Sequence, residues 1–384
     1  MLPAPRGIAL IVPVHKAGPV LERCFRGIAA LDPQPDELVV AVDGPVAASD
    51  PALRTTLERA GLPVVVTGEA GGPARARNVG AAASSAAVLF FVDSDVVLES
   101  DALPRLRRAL EDADAVFGSY DDHPGHPGFT SQYKNLVHHL VHQRARREGT
   151  TFWGACGAVT RTAFDEVGGF DEVYRRPCVE DIELGYRLRG AGYRLVVEPA
   201  LQVSHLKRWT VRGLLRTDIW DRAVPWTLLI LRSRVVVDDL GTQVTARIQL
   251  LLTALALGGV LSGALLTSWS PVGLAALCLA GVVLLDLPLL SGLARLRGRR
   301  FALRSVPWRL GHQLVCLSGV SIAVFRMGLQ FTGLRAGPGP QLRIADAGRP
   351  LAGTPSPTGA GVDLTMVPSG WGLEPVAAAR RRSA

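Results

Sequence analysis

Lysine is nearly missing from this chain, occurring only at positions 16, 134 and 207. Arginine therefore supplies almost all of a basic excess of 42 Lys+Arg over 34 Asp+Glu, a formal net charge of +8. Such a balance suits nucleic acid, phosphate-bearing substrates or an anionic membrane face. Aromatic residues make up only 6%, they are not interleaved with basic ones as on a nucleic-acid surface, and no nucleic-acid-binding motif occurs, so no nucleic-acid partner is expected. Cysteine is also sparse. The five residues (24, 156, 178, 278, 316) form no CxxC pair and are odd in number. That argues against a disulfide framework or a zinc site and for reduced thiols in a cytoplasmic environment. A secretory leader is not expected either, because Pro13, His15 and Lys16 interrupt the apolar start GIALIVPVHKAG before any cleavage site. Charge, finally, is absent from Ile248 to Leu285.

What is present begins with alternation. GIALIVPV reads as a strand, VLERCFRGIAAL as a helix, ELVVAVDG as a strand, ALRTTLERAG as a helix and LPVVVTGE as a third strand. ARARNVGAAASS and AAVLFFVDSD continue the pattern, followed by the helix ESDALPRLRRALEDA and the strand ADAVFGSY. Alternating β and α pieces of these lengths predict an α/β fold with a doubly wound, mostly parallel sheet.

The run VLFFVDSDV is the most informative segment. An apolar run rich in Val and Phe reads as a buried strand, and it breaks into Asp93-Ser94-Asp95. Paired carboxylates at a strand end are poor core residues. At the carboxyl edge of a parallel sheet, where ligands bind, they suit Mg2+ or Mn2+ and, through it, a diphosphate. A strand that simply stops at a polar turn would leave the same lone DxD.

From about 120 to 150 the alternation fails. DDHPGHPGF is a turn-rich loop, and NLVHHLVHQRARREG reads as a polar helix near a substrate cleft. Its histidines lack the carboxylate and cysteine partners of a metal site. After Trp209, Arg and Trp alternate with aliphatics in VRGLLRTDIWDRAVPWTLLILRSR, as in helices lying at a membrane interface. The uncharged run from Ile248 to Leu285 is long enough for two spanning helices turning at SWSP. The basic segment RLRGRRFALR after it predicts that both ends of this hairpin, and the N-terminal domain, face the cytoplasm. The third stretch, LVCLSGVSIAVF, either spans or lies re-entrant, giving two or three membrane helices.

Four segments in order, IVPVHKAG, VVAVDG, GGPARARNVGAAAS and VDSD, resemble the inverting, family 2 glycosyltransferases with the GT-A fold, over roughly residues 7–210. The resemblance implies that the strand and loop at Pro13 and Val14 receive the nucleotide base and that Asp43 contacts the uracil or ribose. It implies that Asp95 binds a divalent cation, Mn2+ or Mg2+, with Asp93 in support. Gly72, Arg75 and Asn78 belong to the glycine-and-Arg-Asn segment, where backbone N–H groups and guanidinium forks favour a diphosphate. Arg77 is read the same way, and solvated helix surface is the alternative for both arginines.

Downstream, FWGACGAVTRTAFDEVGGFDE resembles the acceptor side, with Trp153 and Gly154 beside the sugar. VEDIELGYRLRGAGYRLVVEP resembles the Glu-Asp motif, which implies Asp181 as general base and Glu180 as an acceptor contact. Acids at a helix start also serve as caps. HLKRW resembles the QxxRW motif of processive members with His205 in place of Gln, and a His there implies a second metal ligand. Arg208 would hold the diphosphate and Trp209 stack on the acceptor, unless both are interfacial anchors.

The expected organisation is a nucleotide-sugar-binding catalytic domain over 1–210, interfacial amphipathic helices over 211–246, transmembrane helices over 247–331 and a disordered tail over 332–384. The expected activity is transfer of a sugar from a nucleotide-sugar donor, UDP-linked, to a hydroxyl of a glycan or lipid-linked acceptor at the inner membrane. The alternatives are a polyprenyl-phosphate glycosyltransferase and a membrane protein that binds nucleotide sugars without turning them over.

Overall fold

Apolar runs of five to seven residues between helices leave little choice but a sheet with both faces covered, and the computed structural model, which describes residues 7–331, has one. Its strands are β1 Ile8–Val14, β2 Glu37–Val42, β3 Val64–Val66, β4 Val88–Val92, β5 Val96–Leu98, β6 Ala115–Tyr120, β7 Cys156–Thr160 and β8 Leu195–His205. They lie in the order β3-β2-β1-β4-β7-β6-β8-β5. The first four are parallel neighbours, joined through the helices Pro19–Ala29, Pro51–Ala60 and Gly72–Ala82. Every residue of β4 is buried, which is why its sequence shows no polar alternation.

The sheet is mostly parallel, as the alternation predicts, but it is mixed. β7 runs antiparallel to both β4 and β6, and β8 antiparallel to β5. The sequence reading gave β5, β7 and β8 no strand assignment. β5 is three residues long, and β7 follows loop-like FWGA, so neither carries a period long enough to read. Their effect on the site is decisive. β5 leaves the DxD edge, pairs with β8, and the register Val96↔His205 returns the end of β8 to that edge.

The chain divides into two units. Among the described residues, the sheet unit comprises 7–126 and 146–207, and the helical unit comprises 127–145 and 208–331. One boundary falls at 207/208. The helix Phe129–Gln143 belongs to the helical unit. There Leu136 and Leu140 form a core with Leu289, Leu290 and Leu293. Its apolar positions had a tertiary partner that local sequence does not reveal.

In the helical unit the expected hairpin is present as Val244–Leu266 and Ser270–Leu285. The second arm does not end at the charge. Asp286 sits at a 54° bend, and the helix resumes as Leu287–Arg297. Arg309 makes two bonds to the Asp286 carboxylate, at 2.8 and 3.0 Å, and Gln249 Nε2 donates to it at 2.9 Å. Buried ion pairs of this kind cost about 3–5 kcal/mol when one partner is removed. The third apolar stretch is the second half of one helix, Arg299–Phe331, which continues through Pro307. Val244–Leu266 and Arg299–Leu329 are each long and apolar enough to cross a membrane, and the bent pair makes a third if it is one span. The tail at 332–384 lies outside the described residues.

Candidate active site

The sheet unit places the ends of β1, β2 and β4 along one edge, and residues from four chain segments meet there. Pro13 and Val14 pair with Ala41 and Val42, and the Asp43 N–H donates to the Val14 carbonyl at 2.8 Å. Asp43 itself accepts from the Gly71 and Gly72 N–H groups at 2.8 and 3.0 Å. Expected at the base or ribose, this carboxylate fixes the loop that opens the helix Gly72–Ala82. Gly72, with φ +82°, is required by the protein itself, since a Cβ there would come within 2.3 Å of the Arg175 carbonyl oxygen. A left-handed residue pressed against backbone tolerates little but glycine.

The helix that follows differs from its expected role. Arg75 pairs with Glu69 at 2.7 Å on a partly exposed surface. Asn78, expected to bind donor, has its amide engaged: Nδ2 donates to the Phe170 carbonyl and to Glu172, and Oδ1 accepts from the Phe170 N–H. It clamps the loop at 170, a role set by a partner remote in sequence. Arg77 does not face a phosphate position. Its side chain is 4% exposed, and Nη2 bonds Asp93 at 2.7 Å while Nη1 bonds Glu180 at 2.9 Å. Although burial opposes its charge, the carboxylates of Asp93, Glu180 and Asp181 hold the guanidinium protonated, above the usual arginine range.

At the end of β4, the Asp93 N–H donates to the Ala155 carbonyl at 3.2 Å, and the Asp95 carbonyl accepts from the Leu206 N–H at 2.9 Å. His205 is buried, stacks on Tyr120 with centroids 4.4 Å apart, and holds Nε2 3.5 Å from Asp95 Oδ2. Burial pushes the Asp95 carboxyl up, but the bond and charge of His205, with Lys207 beyond it, bring the group below the ordinary carboxylate value. An ionised carboxylate facing an imidazole is a donor set that fits Mn2+. Among the described residues no three His, Cys, Asp or Glu side chains gather around a metal position, so this pair would need oxygens from a bound diphosphate or water to complete a shell.

Of the residues expected on the acceptor side, Trp153, Gly154 and Glu180 lie in the sheet unit and Trp209 in the helical unit. Trp153 is buried, with its ring edge-on to Tyr120 at 4.8 Å. The Gly154 N–H donates to Asp181 Oδ2 at 3.0 Å, and the Ile182 N–H lies 2.8 Å from Asp181 Oδ1. Asp181 starts the helix Glu180–Gly190, whose Leu184 and Leu188 are fully buried. Glu180 is buried rather than open to an acceptor, accepting from Arg77 and from the Cys178 N–H at 2.8 Å. Arg208 and Trp209 begin the helical unit. There the Trp209 N–H donates to Ser131 Oγ at 2.8 Å, and its ring lies 5.9 Å from Lys134 Nζ.

Sequence reasoning misses Lys207 and the burial of Arg77. Lys207 is one of only three lysines, and its charge acts on Asp95. Arg77 was placed on phosphate because helix position alone does not reveal which face is buried.

Residues 9–168 match the family model described as glycosyl transferase family 2. Over 54 residues the chain is 48% identical to N-acetylglucosaminyl-diphospho-decaprenol L-rhamnosyltransferase from two strains of Mycobacterium tuberculosis, CDC 1551 / Oshkosh and H37Rv. The aligned part is 14% of this chain and 17% of the relative's length. A mannosyltransferase from Pyrobaculum calidifontis, solved with GDP-Man and Mn2+, is similar with a TM-score of 0.46 and 18% identity, covering 83% of this chain and 88% of that one. GalNAc-T7, crystallised with UDP, GalNAc and Mn2+, gives 0.43 and 15%, covering 60% and 51%. The family match over 9–168 runs from β1 through β7 and so takes in the sheet edge that carries Asp43, Asp93 and Asp95.

Proposed function

We propose that this chain is a membrane-anchored, inverting glycosyltransferase that moves a sugar from a nucleotide-linked donor, UDP-linked, to a hydroxyl of a glycan or lipid-linked acceptor. The observation that carries the reading is the Asp181 carboxylate, oriented by the Gly154 N–H in the same unit as Asp93, Asp95 and His205. Asp181 accepts the proton of the acceptor hydroxyl. The oxygen attacks the anomeric carbon, and the bond from that carbon to the diphosphate oxygen breaks on the opposite face, so one displacement inverts the configuration.

Asp43 and the 71–72 loop, with Pro13 and Val14, bind the nucleotide. Asp95 and His205 would hold the divalent cation, Mn2+ or Mg2+, which would supply charge neutralisation at the leaving diphosphate. Lys207 adds a fixed positive charge beside them, and such preorganised charge is commonly the largest catalytic contribution. Trp153 and Gly154 line the acceptor side.

Anchoring rests on the two long apolar helices and on side chains such as Leu265, Leu266 and Trp269, exposed at 84%, 68% and 85%. The basic turn at Arg295, Arg297, Arg299 and Arg300 supports a cytoplasmic location for that end and for the catalytic domain, at the inner membrane, by the positive-inside rule. A lipid-carried acceptor is supported from within the helical unit, which holds a cavity of about 320 Å³ with Lys134, Asp218 and His312 among apolar residues such as Leu214, Trp308 and Val315. The name of the rhamnosyltransferase relative describes a sugar already attached to a decaprenyl diphosphate. That favours a hydroxyl acceptor on a glycolipid over a bare lipid phosphate.

The test is donor hydrolysis by the full chain in detergent with Mn2+ and a panel of nucleotide sugars. Release of nucleoside diphosphate from one donor, accelerated by a lipid-linked glycan, is expected. Tight nucleotide binding with no turnover of any donor would leave a sensor or scaffold instead.

A further inference from the structure

Arg77 makes no contact with either substrate in the reading above, yet it touches a carboxylate on each side of the reacting position. Asp93 follows β4 on the donor side, and Glu180 opens the helix that carries Asp181 on the acceptor side. One guanidinium spans them, with Nη2 2.7 Å from Asp93 and Nη1 2.9 Å from Glu180. Gly154, whose N–H holds Asp181, is pressed against the same group, since a Cβ there would lie 3.0 Å from Arg77 Cζ. The Phe170 ring stands 5.2 Å from Cζ. Nε is buried and has no hydrogen-bond partner among the described residues.

A buried charge of this kind is costly to assemble, and its planar fork sets two carboxylates at a fixed spacing in a way an ammonium does not. Leaving Nε unsatisfied adds to that cost. A side chain meant only to stabilise the core would be replaced more favourably by an apolar one of similar volume. The residues Arg77 joins are the neighbours of the cation ligand Asp95 and of the base Asp181.

We infer that Arg77 is a positioning residue that fixes the distance between the donor and acceptor halves of the site. It holds Asp93 and Glu180 on one guanidinium and sets the 154 loop that orients Asp181. The inference rests on the transferase reading above for its kinetic consequence, but not for its structural one.

Four variants of the full chain in detergent test it: Arg77→Lys, Arg77→Gln, Glu180→Gln and the double Arg77→Gln/Glu180→Gln. Misplacing catalytic groups by about 1 Å costs on the order of 10²-fold in rate. Arg77→Lys should therefore lose about that factor in kcat, with donor KM nearly unchanged and the unfolding midpoint close to wild type. The double variant should lose no more than Arg77→Gln alone, because the two residues act as one unit. Full kcat in Arg77→Lys, a loss confined to donor KM, or strictly additive losses would overturn the inference.

Hydrogen exchange supplies a readout independent of turnover. In Arg77→Lys the amides of 93–97 and of 152–157 should lose protection together, and loss on one side alone refutes the link. A wild-type protein inactive with every donor would defeat the transferase reading while leaving this exchange result to stand or fall by itself.

Discussion

His205 Nε2 lies 3.5 Å from Asp95 Oδ2, brought there by the antiparallel pairing of Val96 with His205 at the end of β8. The stacked Tyr120 ring keeps the imidazole in that orientation. Neither residue makes a site alone. Together they face one position with a carboxylate oxygen and an imidazole nitrogen, the pair through which a divalent cation and a diphosphate would be held.

Asp95→Ala removes the carboxylate oxygen from that pair, and a ring nitrogen by itself binds a hard divalent cation weakly. Turnover should be abolished, and Mn2+-dependent nucleotide binding should disappear in calorimetry. Activity that persists in the variant, or in wild type treated with EDTA, would show that the DxD edge does not hold a metal.

Asp181→Asn preserves the shape of the side chain and its bond from the Gly154 N–H, but it does not accept a proton. Transfer to a hydroxyl acceptor should fall by about 10²–10⁴-fold, with donor affinity little changed because Asp43 and Asp95 remain. Near wild-type transfer would point to an acceptor already ionised, such as a lipid phosphate. Loss of nucleotide binding would move Asp181 to the donor side.

Asp218 is buried in the helical unit between Lys134 Nζ at 2.6 Å and His312 Nδ1 at 3.4 Å. Burial pushes its carboxyl up, but Lys134, then His312, pull it well below the ordinary range. A folded-state value below the unfolded one, about 3.9, means the unfolded chain binds more protons in between. The stabilisation is therefore complete above about pH 4 and is lost as pH falls toward the folded value. In detergent, the unfolding midpoint of wild type should drop steeply below pH 4, and that of Asp218→Asn should change less over the same interval. Parallel pH curves would remove Asp218 from the acid response.

The turn between Val244–Leu266 and Ser270–Leu285 carries no charge, whereas the turn at Gly298 is flanked by arginines. In intact cells an impermeant thiol reagent should label Ser270→Cys and spare Arg297→Cys. The reverse pattern would invert the topology and place the sheet unit outside.

The sequence by itself determined the α/β class, the strand ends that carry Asp43 and Asp93-Ser94-Asp95, the helix opening at Glu180 and the long apolar helices. These are local signals: hydrophobic period, run length and the residues that interrupt a run. Tertiary structure alone decided what the polar side chains do. Asn78 and Arg77 sit one residue apart in the same helix, yet one clamps the 170 loop and the other joins Asp93 to Glu180. It also decided that β7 enters antiparallel, that β5 and β8 carry His205 back to Asp95, and that 127–145 belongs with the helical unit. Such contacts join residues far apart in the chain. Their energy comes from partners a local window does not contain, so the same Arg, Asn or His reads alike in sequence until the fold supplies its neighbours.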